Sequence, residues 1–567
     1  MPDLDSPDAA RAFEFYCSRS AYLLGGIAGN GKKGDDGAAF WGDLVIRLAV
    51  TEPAVRHAVL ALSSLHERAC TPKNDRRIGS TSFAFSEYGK SIAAVRAWNI
   101  TTTEPAAVPL LVCVLFICIE FLTSYESAAQ LHILQGRHIL SQLDTSNKSS
   151  AMSLIKDMLV PIYARLALSS FLFASKPEPI PVGLVGEGTG EVPLMFETMG
   201  EAKDWLFWLV DEGLRFTSKA RPAVYNPETT LEDLQVFREG QQKVLSQFGR
   251  WNAAFTVLKA MQSPSARQAA GSKPVEDLLM VYYHVSIVWV STALTSRELA
   301  YDDHMPAFAA IVSHASAVMA SAPTVSPYGK TAFIFDTEMI PVLYWVATRC
   351  RHPLIRRAAL RLLGRKMAQG RRENLWRGDN TYTAAKRVIE LEEDVGLDVD
   401  MDMLNNYDFD SAATFYYTNM KHPYVPLNKP PTPPKPTYDI CEDRPSLAEI
   451  GVGTSVSYVV TTTGEGTYES NRATPSSSDS IGASSPGGSS IADAVTTTST
   501  ALLLLPESGI DPARLEAPFG LPEDLRVKNT ILGKRENGGI WVTTFRSPRP
   551  GEMAWDAKME FLKFERP

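Results

Sequence analysis

A few places in this sequence combine residue types and spacings that could do chemistry. Gly26-x4-Gly31-Lys32 follows the pattern of a phosphate-cradling loop as far as the lysine, but Lys33 stands where a Ser or Thr hydroxyl would hold magnesium. No Val/Ile-rich strand precedes it, so the strand that would aim such a loop at a nucleotide is missing, and no ATPase activity is expected. His57 and His66 could be a catalytic or metal pair, but nine residues of α-helix put them on opposite sides of the axis. Two separate structural histidines are expected instead. Asp302-Asp303 has the look of a metal-binding aspartate pair without the further acidic set such sites need, and is expected to be a solvated helix end. Asp398–Asp410 opens like a calcium loop, yet Met403 occupies the glycine position and Phe409 that of the bidentate Glu, which rejects calcium.

The densest charge lies between Arg349 and Arg372, where nine Lys/Arg occur with no acid above an apolar stripe of Leu354, Ala358, Leu362 and Leu363. A basic amphipathic helix can bind phosphate, an acidic partner or a membrane surface. The commoner arrangement, expected here, is a solvated face paired with neighbouring acids. There is no GxSxG, no HExxH and no paired Cys/His ligand set, so no catalytic, cofactor-binding or metal residue is assigned and the chain is expected not to be an enzyme.

The elements that would have to position these groups are helices. Thr51 to Cys70 is the central one: Val55, Ala58, Val59, Leu62 and Leu65 recur at three- and four-residue spacing, and Pro53 sits in the first turn, where it removes no intrahelical bond. Phe85, Tyr88, Ile92 and Val95 share a face of the next helix. Val108–Leu122 is apolar all round and is expected to be buried, being too short to span a bilayer. Helical patterns continue over Tyr125–Leu143, Met152–Phe173, Ala202–Lys219, Leu231–Leu258, Val275–Glu298 and Met305–Ala320, separated by Pro, Gly or Ser, and alternating strand patterns are almost absent.

Composition sets the outer bounds. With 567 residues, 45% hydrophobic and 21% charged, the chain can bury a large core, and its net charge of −8 argues against coating nucleic acid or anionic membrane by charge alone. The six cysteines (Cys17, Cys70, Cys113, Cys118, Cys350, Cys441) are scattered, as suits reduced, mostly buried thiols, and the acidic start shows no secretory signal. Beyond Asp394 the composition shifts. Acids alternate with apolar residues to Asp410, the pattern of a linker or an activation segment; Pro423–Pro436 is polyproline-like and holds a Pro430-x-x-Pro433-x-Lys435 motif. Thr454–Thr500 is Ser/Thr/Gly-rich, with Thr474-Pro475 and Ser485-Pro486 as candidate phosphorylation sites. Val527–Leu532 and Trp541–Phe545, flanking Glu536-Asn537-Gly538-Gly539, form a predicted hairpin. The fold expected is all-α, in three parts: a helical unit over 1–396, a disordered insertion over 397–505, and a C-terminal segment over 506–567 that packs back on the core.

Three separated blocks carry a resemblance. FWGDLVIRLAVTEPAVRHAVLALSSLHE at Phe40–Glu67, the run ending CIEFL at Cys118–Leu122 with the Ala128–Leu140 helix after it, and CRHPLIRRAALRLL with RRENLW across Cys350–Trp376 resemble, in this order, the regulatory (middle homology) domain of fungal-specific transcription factors. The tail LPEDLRVKNTIL…VTTF is similar to how members end. Such proteins normally place a binuclear zinc cluster, CxxC-x6-C repeated, ahead of this domain as their DNA reader, and no such cysteine pattern occurs ahead of Phe13. The resemblance therefore implies a nuclear transcription regulator acting through a DNA-binding partner, the transcription machinery, a second copy of itself or a small-molecule effector. Zinc binding and direct sequence-specific DNA contact are not carried over. The alternatives are an enzyme or a helical scaffold outside transcription.

Overall fold

The structure, a computed structural model, describes residues 6–26, 40–71, 81–97, 106–146, 148–172, 177–185, 190–261, 273–321, 333–370, 372–393, 521–548 and 555–564. The near-miss phosphate loop beyond Gly26, the calcium-like stretch, the polyproline motif and the Ser/Thr-rich region lie outside the described residues. What is described is a stack of helices with a small antiparallel sheet against one end.

The first helices are α1 (Pro7–Phe15), α2 (Val45–Thr51), α3 (Pro53–Cys70) and α4 (Thr81–Arg96). Helix α3 is the hub of this end, packed on α1, α2, α4 and α5 (Ala107–Thr123). Pro53 opens it as expected, and Val55, Val59 and Leu62 are fully buried, each contributing about 1.5–3 kcal/mol of burial before ordering entropy. Its polar residues are buried too. Arg56 donates to the carbonyls of Ala49 and Val50 at the open end of α2, and Ser63 donates to the Ala12 carbonyl of α1 (2.6 Å). On α4 Tyr88, Ile92 and Val95 of the expected apolar face pack against the core, but Phe85 is exposed, and the buried residues are Ala84, Glu87 and Ser91. The two polar residues are buried because they are bonded: Ser91 donates to the Ala54 carbonyl (2.6 Å) and Glu87 pairs with His57 (2.7 Å). Helix α5 is buried nearly all round, as its uniform hydrophobicity predicts.

Next come α6 (Glu126–Ser141), α7 (Val160–Leu172), α8 (Met199–Tyr225), α9 (Leu231–Met261), α10 (Lys273–Ser291) and α11 (Met305–Ser321). Helix α10 stops at Ser291, short of the Glu298 expected from its pattern, and Glu298–His304 forms a separate 3₁₀ turn. Three helices close the core: α12 (Ile340–Arg349), α13 (Pro353–Ala368) and α14 (Gly378–Glu393). The long basic pattern thus splits at Cys350, because Pro353 can begin a helix but cannot continue one.

Two sheets are present among the described residues. Phe333–Ile334 (β1), Arg372–Glu373 (β2) and Trp376–Arg377 (β3) make a minimal sheet that two-residue strands gave no sequence signal for. At the C-terminus β4 (Asn529–Glu536) pairs with β5 (Gly539–Arg546) in the expected hairpin, Leu532 opposite Val542, with Asn537 and Gly538 both at positive φ in the turn. A third strand, β6 (Asp556–Lys563), extends the hairpin to a meander. Ile540 and Val542 are buried, and the sheet lies against α14.

One close approach gives a direct test. A Cβ added at Gly136 on α6 would lie 2.2 Å from the hydroxyl oxygen of Tyr163, whose ring is fully buried and whose hydroxyl donates to the Leu110 carbonyl (3.0 Å). Gly136→Ala should therefore lower stability by about 1–3 kcal/mol in spite of alanine's better helix propensity, read as the denaturant midpoint; an unchanged midpoint would mean the two helices can part freely.

Candidate functional site

The basic residues of Arg349–Arg372 do not form a solvated face. Arg349, Arg351, Arg356, Arg357 and Lys366 are buried, and among the described members of the stretch Arg365 alone is exposed. Their partners come from three directions. Arg349 at the end of α12 reaches Glu298 Oε1 (2.6 Å), and Arg351 in the link to α13 bridges Glu298 Oε2 (2.8 Å) to Glu392 Oε1 on α14 (2.9 Å). Arg356 holds Glu392 Oε2 (2.7 Å) and Glu393 Oε1 (3.2 Å), and Arg357 holds Glu393 Oε2 (2.5 Å). The planar guanidinium presents donors in a fork that satisfies carboxylates on both sides, which is why arginine rather than lysine can be buried so densely.

The third direction is the segment that precedes β4. Arg526, fully buried, grips Asp302 with both terminal nitrogens (2.9 and 2.7 Å) and donates to the Leu521 carbonyl. The Val527 amide donates to Glu392 (2.7 Å), while Arg351 and Arg349 donate to the carbonyls of Val527 and Lys528. Glu523 accepts from the amides of Glu298 and Leu299 (both 2.9 Å), capping the start of the 3₁₀ turn. Asp302 is accordingly not a solvated helix end: it is the buried anchor of Arg526, and only Asp303 faces solvent.

The electrostatics follow from this geometry. Burial alone would raise the Glu392 carboxyl, but Arg351 and Arg356 outweigh it and hold it down to about 2; Glu298 is likewise held low by Arg349 and Arg351 against its burial. For Asp302 burial wins over Arg526, and its carboxyl is raised. Burial pushes neighbouring His352 down to about 4. Arg349, Arg351, Arg356, Arg357 and Arg526 each hold a carboxylate, so these five join chain segments and present no cation to a ligand. Beside it, a cavity of about 10 Å³ between Tyr344, Trp345, Thr348 and Thr530 has room for a single water.

The other sequence candidates are kept apart. His57 pairs with Glu87 on one side of α3, whereas His66 on the other side accepts or donates to Ser20 (2.9 Å) between the rings of Phe15 and Phe333, and burial lowers it to about 4. Gly26 is fixed at positive φ, where a Cβ would lie 2.3 Å from Glu338 Oε1. Two polar clusters escaped the sequence reading because their members are far apart in the chain. Asp277 Oδ1 is shared by Lys273 (2.5 Å) and His314 (2.9 Å), with His284 stacked on His314. Tyr88 donates to Glu120 (2.7 Å) and lies 3.3 Å from His132. No group of three or more His, Cys, Asp or Glu among the described residues is arranged to hold a metal, and no described helix is long and apolar enough to cross a membrane.

The chain is thus a predominantly helical protein whose densest polar cluster joins chain segments. It is similar to the aspercryptin biosynthesis cluster-specific transcription regulator atnN of Emericella nidulans, 22% identical over 475 residues that cover 69% of this chain and 74% of that protein. This similarity supports the resemblance to fungal transcription regulators at the level of the broad family. No protein-family model and no solved structure matches.

The cluster predicts a pH dependence. A carboxyl held at about 2 in the folded chain and near its ordinary 4.5 when unfolded contributes stability that is complete above about pH 4.5 and is lost as pH falls toward 2. The size is about 3 kcal/mol, from 1.36 kcal/mol per pKa unit. Glu392→Gln should flatten the stability–pH curve in that window and, by leaving two guanidiniums underpaired, lower stability at pH 7 by about 3–5 kcal/mol. Parallel curves for the two proteins between pH 4.5 and 2 would show that Glu392 carries no such linkage.

Proposed function

We propose that this chain is a transcription regulator of the fungal type that controls genes of a single biosynthetic pathway from within the nucleus, and does so through protein contacts. The observation that carries the reading is the similarity to a cluster-specific regulator over 475 residues, which runs through most of both chains rather than through one short motif. The helical architecture agrees with the expectation drawn from the three sequence blocks. Partner-mediated recruitment to DNA is favoured by the fate of the basic stretch. Arg349, Arg351, Arg356 and Arg357 are buried and hold carboxylates, so these four offer nothing to phosphate, and the net charge of −8 opposes non-specific attachment. Base-edge readout needs an element shaped for a groove, and the cysteine pattern of a binuclear zinc cluster does not occur in these 567 residues.

Two measurements test this. Fused to a heterologous DNA-binding domain, the chain should change transcription of a reporter carrying that domain's sites several-fold, up or down; an unaffected reporter contradicts the regulatory reading. Selection from random duplexes with the purified chain at physiological salt should enrich no motif, and a reproducible motif would place a DNA reader in this chain.

A further inference from the structure

The terminal sheet ends in an open edge. Its strands run β4, β5, β6, and among the described residues no strand pairs with the far side of β6. The phase of the ladder says which backbone groups that side carries. The Phe564 amide donates to the Gly538 carbonyl (2.9 Å), so the even-numbered residues of β6 bond to β5, with Leu562 opposite Ile540 and Glu560 opposite Val542. Ala557, Met559, Phe561 and Lys563 therefore turn their amides and carbonyls outward. A row of donors and acceptors at strand spacing is a template for an extended chain and for no other shape.

The side chains narrow the sequence of that chain. Even-numbered ones on β6 lie toward α14, where Arg387 donates to both carboxylate oxygens of Glu560. Odd-numbered ones lie on the opposite face: Phe561 meets the Trp541 ring (5.3 Å between centroids), Met559 is 66% exposed, and Phe545 and Ile531 continue the apolar row across β5 and β4. An added strand extends both faces at once. Its residues beside Met559 and Phe561 meet apolar surface, and the alternate ones stand beside Lys558, whose side chain is 56% exposed. Lys558 lies 2.9 Å from Glu560, but that carboxylate is already held by Arg387, which leaves Lys558 able to take a further acid. Lys563, exposed at the end of the strand, adds a second positive charge. Lysine on an open edge opposes pairing with another copy, which brings the same lysines, and favours a strand that carries acids.

We propose that the outer edge of β6 is a docking site for an extended segment of a partner protein in which apolar and acidic residues alternate, added to the sheet as a further strand. Its backbone bonds to Ala557, Met559, Phe561 and Lys563, its apolar side chains cover Met559 and Phe561, and its acids face Lys558. The edge does not depend on the chain being a regulator, and it is tested by peptide binding rather than by the tethered reporter.

The probe is a dye-labelled peptide of alternating valine and aspartate, added to the full chain. Its anisotropy should rise on binding, and hydrogen exchange at the amides of Met559 and Phe561 should slow at least tenfold in its presence. Met559→Pro removes an outward amide without touching the β5 ladder, so far-UV circular dichroism should stay unchanged while affinity falls at least tenfold. Lys558→Glu, a surface change that leaves the backbone alone, should weaken this peptide at least threefold and improve binding of its valine–lysine counterpart. No binding at about 1 mM peptide, the weak end of specific recognition, would overturn the proposal. So would binding that leaves the Met559 and Phe561 amides unprotected, or that is indifferent to both substitutions. Acids and apolar residues also alternate in the chain's own Asp398–Met403. A peptide that binds only after Met401→Pro would show that this stretch takes the edge, and would overturn the outside partner.

Discussion

Burial of guanidinium against carboxylate is the interaction on which the C-terminal half depends. Placing Arg351, Arg356 and Arg526 at zero exposure is unfavourable in itself, because each charge loses its water. The loss is offset because carboxylates converge on the terminal nitrogens from the Glu298–His304 turn and the end of α14, and backbone carbonyls of Ala347 and Leu521 take the Nε of Arg356 and Arg526. None of these segments can shift without uncovering a buried charge. The cluster therefore fixes where α12, α13 and α14 stand and where the terminal sheet docks, although hydrophobic burial supplies most of the free energy.

The same device recurs elsewhere in the stack. Arg137, fully buried on α6, holds Asp211 on α8 (2.7 Å) and the Glu178 and Tyr163 carbonyls, and Arg215 approaches the same aspartate (3.0 Å). Glu373 on β2 accepts from the amides of Glu338 and Ile340 at the start of α12, with Lys366 3.5 Å away. Arg372 donates to the Phe121 and Leu122 carbonyls at the open end of α5. In each case a charged side chain satisfies backbone or carboxylate groups of a segment distant in sequence, which gives uniformly apolar helices a specific way to meet.

How much of this was legible follows from range. Helices such as α3, α5 and α11 announced themselves because a 3.6-residue pattern needs only its own neighbours, and the hairpin because Asn537-Gly538 suits a turn that needs positive φ twice. The burial of Glu87 and Ser91 on α4 was hidden, since it depends on His57 and the Ala54 carbonyl of another helix. The arginine cluster was half visible. Nine basic residues without an acid in one stretch and the Glu390–Glu393 run in another were plain, but their pairing, and the part played by Asp302 and Arg526, required distances that only the folded chain supplies. A charge-rich helix was expected in water because lone charges belong there; saturated charges do not.

Native-state hydrogen exchange tests most directly whether the cluster binds the terminal segment to the core as one unit. The amides of Val527 and of β4, which bond to Glu392 and to β5, should exchange with the same opening free energy and the same denaturant dependence as the central amides of α13 and α14. If Val527 and β4 instead open at several kcal/mol less while α13 and α14 stay protected, the segment is an appendage on a core that stands without it, and the arginine cluster is not the constraint described.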